Sequence, residues 1–135
     1  MAFIPLNKEC GKTVELPCTA TTTYTKYAGI KFTSGYAVVA ASGDPGIDYI
    51  SLEGKTSSAT TGATKLLCLK VDPTIRFRVL CSATLVQATH VGNRYDITDQ
   101  NTIDLGNSTD KSFLIDKVIS ASGKIAEGYF QNNIA

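Results

Sequence analysis

From Thr13 to Phe130 the chain is a series of short segments, rich in β-branched and aromatic residues, that Gly, Pro, Ser, Asn or Asp interrupts about every 8–12 residues. That spacing leaves no room for long helices. The clearest segment is Ile75–Cys81, where Ile75, Phe77, Val79 and Cys81 alternate with Arg76, Arg78 and Leu80. A period of two puts the first set on a core face and the two arginines on the other face of a half-buried strand. The 17 Thr and 10 Ser strengthen the reading. Thr, branched at Cβ, favours the pleated backbone, and Ser competes for backbone hydrogen bonds and favours turns. The expectation is an all-β fold: a compact β-barrel or β-sandwich of about nine short strands, with at most one short helix.

Other segments fit this frame. Val14–Cys18 alternates, and Pro17 assigns it to a sheet edge because proline has no ladder donor. Ser34-Gly35 turns between strands over 27–32 and 36–41, and Ser122-Gly123 turns between strands over 112–120 and 125–130. The apolar run 65–71 predicts a strand buried on both faces. Ser82–His90 has room for one helical turn, with Ser82 as N-cap and Gly92 as stop. Residues 54–64 carry no large apolar side chain and predict an exposed, mobile loop. The tail from Gln131 is polar and predicts fraying. The chain divides into an extended N-terminal arm, residues 1–12, and a single β domain, residues 13–135. An apolar start as short as Phe3, Ile4, Pro5 and Leu6 either tucks into its own core or docks on a partner.

Composition narrows the function. The chain is 135 residues long, with 43% hydrophobic and 19% charged residues, ordinary for one globular domain. A formal net charge of +1 lacks the basic excess of a general nucleic-acid binder. The first residues lack the basic and apolar regions of a signal peptide, and no apolar run nears the roughly 20 residues that cross a bilayer. Cys10, Cys18, Cys68 and Cys81 form no CxxC pair. Free thiols are expected in a reducing compartment, with a Cys10–Cys18 or Cys68–Cys81 bridge as the alternative.

No catalytic set emerges. The single histidine, His90, cannot build a two-histidine metal site and is read as exposed or capping. Asp96, Asp99, Asn101 and Asp104 have oxygen donors but not the EF-hand spacing, and turn formation explains them better. Gly54-Lys55-Thr56 resembles the end of a phosphate loop, but position 49 is Tyr where that motif needs Gly. No enzyme, cofactor or metal is expected. Arg76 and Arg78, with Tyr49 or Tyr95 as neighbours, are weak material for stacking bases and better material for a protein interface.

Several longer pieces recur in order: Met1-Ala2-Phe3, Tyr49–Thr56, Lys70–Phe77, Val91–Asp99, Phe113–Val118 and Lys124–Phe130. This order resembles the small head decoration (cement) proteins of tailed bacteriophages. Ile97 stands where leucine is commoner in that pattern, and the four cysteines lie outside it. The resemblance implies a virion protein, assembled in the host cytoplasm, that binds the outside of the head and stabilises the shell. It implies the major capsid protein as partner, together with self-association as a homotrimer rather than a dimer, and neither nucleic acid nor membrane. Phe3, Ile4, Pro5 and Leu6 would then be the capsid-binding arm, and Arg76 and Arg78 a candidate interface. Another head or tail accessory, such as a fibre base, is the nearest alternative. A carbohydrate- or host-surface-binding β domain of a virion accessory protein is the alternative of a different class. It would need exposed aromatics, with Tyr24, Tyr27, Tyr36 and Tyr49 as candidates.

Overall fold

The Arg76–Cys81 alternation is realised as a strand at the junction of the molecule, and the rest of the fold is arranged around it. The computed structural model describes residues 3–131. Its strands are β1 (Ile4–Pro5), β2 (Thr13–Pro17), β3 (Thr23–Tyr24), β4 (Gly29–Thr33), β5 (Tyr36–Val39), β6 (Tyr49–Ser51), β7 (Lys55–Thr56), β8 (Lys65–Lys70), β9 (Arg76–Cys81), β10 (Arg94–Asp99), β11 (Thr102–Asp104), β12 (Phe113–Ser120) and β13 (Ile125–Phe130). One helical turn, α1 (Gln87–His90), precedes β10, and a 3-10 turn spans Lys8–Cys10. The fold is all-β, as expected. The strands number thirteen among the described residues because several pairings are only two or three residues long. Among the described residues, no helix is long and apolar enough to cross a membrane.

Strands β9, β11, β10, β12 and β13 pair in that order, and β13 pairs back onto β9, closing a five-stranded barrel. Only β11 with β9 is parallel in this ring. Phe77 and Val79 of β9, Ile97 of β10, Ile103 of β11, Phe113 and Ile115 of β12, and Phe130 of β13 fill its interior. The barrel bends at β-bulges, which add a residue to one strand and re-aim side chains. One lies between Ile115 and Lys117, so that Asp116 has no direct partner on β13. Opposite it only glycine fits: a Cβ on Gly128 would lie 1.8 Å from the Leu114 carbonyl oxygen.

The second sheet, in order β2-β8-β6-β4-β5, places β2 at its edge, where Pro17 requires it. A bridge from Cys18 to Ala37 draws its two edges together. Strand β8 shows why its sequence reads as buried on both faces. Leu66 and Cys68 face a second, smaller core, while Leu69 faces the main one. The burial is staggered, however, and Leu67 stays 37% exposed.

Three expectations need correction. The first concerns residues 54–64, which are largely exposed, as expected, but are tied to the rest of the fold. β7 pairs with β3, and Ser57 is buried, accepting from Thr22 N–H at 2.8 Å and donating to the Thr19 carbonyl at 2.5 Å. Hydroxyl and backbone bonds anchor the segment where apolar side chains are missing. The second concerns Ser82, which does not cap α1. Val86 holds the N-cap position, and Ser82 Oγ accepts from Leu105 N–H at 2.9 Å instead. The third concerns the arm, whose residues 3–6 lie against the domain rather than extending from it. Phe3 is fully buried, and β1 pairs with β9 in the register Ile4–Arg78 and Pro5–Phe77. A phenyl ring gains more from a preformed aromatic core than from solvent. The expected fraying of the tail falls outside the described residues beyond Gln131, whose N–H donates to the Ser112 carbonyl at 2.7 Å.

Candidate functional site

Pairing registers determine which outward side chains become neighbours. Leu6 N–H donates to the Arg76 carbonyl at 2.7 Å, Arg76 stands opposite Tyr129, Tyr129 opposite Leu114, and Leu114 opposite Arg94. Their sequence neighbours Phe77, Phe130, Phe113 and Tyr95 are buried, so these residues face outward. The result is a band, Leu6–Arg76–Tyr129–Leu114–Arg94, that starts just past β1 and wraps the outside of the barrel across four strands. Beside it run Ile4, Arg78 and Glu127, again directly paired.

The band is pre-ordered. Arg78 donates to Glu127 Oε2 from Nη2 at 2.7 Å and from Nε at 3.2 Å. Arg76 pairs with Asp116, the residue that the β12 bulge turns outward. Asp116 Oδ1 has no partner and is buried. Ion pairs this exposed contribute little to stability, about 0–1 kcal/mol. They hold two guanidinium groups in place beside Tyr129 and the half-exposed Leu6. Arg, Tyr and Leu in fixed positions suit a protein interface.

The structure thus brings the two sets of sequence-derived site residues together. Ile4 and Leu6 lie beside Arg76 and Arg78 on one surface. Phe3 is the exception: it stacks edge-on to Phe130 at 5.0 Å and has no surface left for a partner. Pro5 lies opposite Phe77 on the inward side of β1. Neither Tyr49 nor Tyr95 accompanies the arginines. Tyr95 is in the barrel core and Tyr49 is on β6 of the other sheet. The aromatic that does so, Tyr129, was legible in the alternation of Ile125–Phe130 but depended on the β9–β13 register.

The four tyrosines of the alternative reading do not share an exposed face. Tyr24 is 1% exposed and belongs to the second core. Tyr36 reaches solvent, and Tyr49 meets Phe32 edge-on at 6.1 Å beside an open cavity of about 350 Å³. The acidic candidates form turns: Asp99 Oδ1 accepts from Asn101 N–H at 2.7 Å, and Asp104 Oδ1 from Gly106 N–H at 2.9 Å. His90 Nδ1 accepts from Val86 N–H at 2.8 Å, closing its own helical turn. Among the described residues no three His, Cys, Asp or Glu side chains converge as metal ligands. All four cysteines are free, and only Cys10 is exposed.

No protein-family model and no curated protein matches this sequence. The fold is similar to that of a phage head-fibre base. The solved head fiber gp8.5 N base of bacteriophage phi29 superposes with a TM-score of 0.55 over 92% of this chain and 99% of that one, at 9% sequence identity. At that identity the likeness concerns the path of the chain, and side chains at equivalent positions are free to differ.

Proposed function

We propose that this chain is a non-catalytic structural protein of a tailed-phage virion, a decoration protein that binds the outer surface of the head and stabilises it. The observation that carries the reading is the fold shared with a phage head-fibre base over nearly the whole of both chains. The sequence pieces resembling head decoration proteins support it independently. The band Leu6–Arg76–Tyr129–Leu114–Arg94 supplies a contact surface, with the major capsid protein as its partner. Self-association as a trimer would repeat that surface around a local threefold axis.

The test is co-sedimentation of the purified chain with expanded phage heads. Binding at a fixed copy number per capsid subunit, reduced by Leu6→Asp with Tyr129→Ala, is the expected result. Absence of the chain from pelleted heads would reject the reading. The fold likeness also favours a second reading, the base of a head fibre. The two differ in consequence: a decoration protein raises the temperature at which heads release DNA, whereas a fibre base binds without changing it.

A further inference from the structure

Beyond Leu114, the band ends in a groove of about 460 Å³, whose lining includes Asn93, Arg94, Ser108, Lys111 and Leu114. Two cations and no acid line it. Among the described residues, neither Arg94 nor Lys111 takes part in an ion pair, in contrast to Arg76 and Arg78 on the same barrel.

The groove wall is built, not incidental. Asp96, 4% exposed beneath it, accepts from Asp110 N–H at 2.7 Å and from Lys111 N–H at 2.9 Å through one oxygen. Asp96 N–H in turn donates to the Asn107 carbonyl at 3.0 Å. These bonds clamp the loop after β11 onto β10. Lys111 sits there in the left-handed region, at φ +55°, a conformation that a non-glycine residue adopts only where its surroundings enforce it. On the other wall Gly92, at φ +88°, turns the chain into β10 just before Asn93 and Arg94. The chain thus positions two cations outside any ion pair at one groove, with the Ser108 hydroxyl beside them, while the Asn93 amide is tied to the Thr89 carbonyl at 2.6 Å.

We propose that this groove binds the carboxylates of an acidic segment of a protein partner. A guanidinium fork takes a carboxylate through two parallel bonds, and an ammonium adds a second point of charge. Leu114 offers apolar contact between them, which a peptide side chain can use and a bare phosphate cannot. Two cations on a chain of net charge +1 are too few to hold a nucleic-acid backbone. The inference rests on the reading of the outer band as a protein interface, but its test needs no capsid.

The experiment is a ¹⁵N–¹H titration of the full chain with an N-acetylated hexaglutamate peptide, a matched hexaglutamine peptide and inorganic phosphate. Hexaglutamate is expected to shift amides at 92–95 and 108–111, with hexaglutamine inert and phosphate weaker. Arg94→Gln with Lys111→Gln, both exposed, should weaken hexaglutamate binding at least tenfold while leaving the remaining spectrum in place. Shifts that are absent, spread over the surface or retained in the variant would overturn the proposal. So would phosphate binding as tightly as the peptide. A chain that binds hexaglutamate yet ignores phage heads would reject the virion reading alone.

Discussion

The molecule has two cores built on different principles. The main core is aromatic at its centre: Phe130 is met edge-on by Phe113 at 4.8 Å, Phe3 at 5.0 Å and Phe77 at 5.1 Å. Its members come from both sheets and from the chain start, so its cohesion is dispersion and lost apolar surface. Among the described residues, the second core has only Leu16, Cys18, Tyr24, Ile30, Ala37, Leu66 and Cys68 as buried members. There a polar group takes a structural part. Tyr24 Oη donates to the Ala37 carbonyl at 2.6 Å and accepts from Thr19 N–H at 3.1 Å, and Ser57 knits the covering loop beside it. A large core tolerates a plain sheet edge, whereas a small one needs directional bonds to close over itself. The band that is the candidate interface lies on the barrel, over the stronger core.

The sharpest way to break the first core is Phe130→Ala. It removes the ring that three others contact, and truncations of this kind cost about 3–5 kcal/mol. Against a typical total stability of about 5–15 kcal/mol, the variant should be largely destabilised in urea denaturation, with both cores lost together. A cost below about 1.5 kcal/mol would mean that the aromatic cluster is not what joins the sheets.

Tyr24→Phe addresses the second core with little change in volume. It strands the Thr19 N–H, while the Ala37 carbonyl retains the Thr19 hydroxyl at 3.0 Å. A donor without a partner costs about 1–3 kcal/mol when buried, and the half-buried Thr19 N–H places the expected cost by denaturation at the low end, about 1 kcal/mol. The aromatics that meet at the centre of the barrel, Phe77, Phe113 and Phe130, carry no hydroxyl for an equivalent edit.

Each core also holds a thiol that burial pushes up from 9.0 to about 12, Cys68 in the second and Cys81 in the main one. The folded state keeps these protons in a window where the unfolded chain releases them. Their contribution is therefore complete below pH of about 9 and falls as pH rises towards 12, by about 1.4 kcal/mol per pH unit for each thiol. Cys68→Ala and Cys81→Ala should each flatten the alkaline limb of the stability curve by that slope, whatever offset the substitution adds. A slope unchanged by Cys68→Ala alone would show that the second core admits solvent.

The main core was legible in the sequence and the second one was not. Period-two runs such as Ile75–Cys81 announce a buried face, and Phe77 and Val79 occupy it as read. The second core is closed by Thr, Ser and Tyr, whose hydroxyls look equally at home in a loop, so 54–64 reads as mobile when it is paired and hydrogen-bonded. The candidate site was half legible for a related reason. Arg76 and Arg78 stand out within one strand. Their neighbours Tyr129, Leu114 and Leu6 arrive through pairings between segments far apart in the chain, and register between distant strands is not written in any local pattern.

The gentlest test perturbs nothing and asks which core opens first. At neutral pH a thiol reagent should modify exposed Cys10 at once, whereas Cys18, Cys68 and Cys81 are buried and react only through opening. Regions with fewer buried apolar contacts open at lower free energy than the molecule as a whole. The small core should therefore release Cys18 and Cys68 before the barrel releases Cys81, as read by mass spectrometry of timed, quenched samples. When opening and closing outpace the reaction, the ratio of rates reports the ratio of opening equilibria, and a tenfold ratio corresponds to about 1.4 kcal/mol. Tyr24→Phe should widen the gap, because it loosens only the core that already opens first. Phe130→Ala should narrow it, because loss of the aromatic centre raises the opening of Cys81 towards that of the others. Equal rates at all three buried thiols in the unmodified chain would mean that the two cores, however differently built, unfold as one cooperative unit.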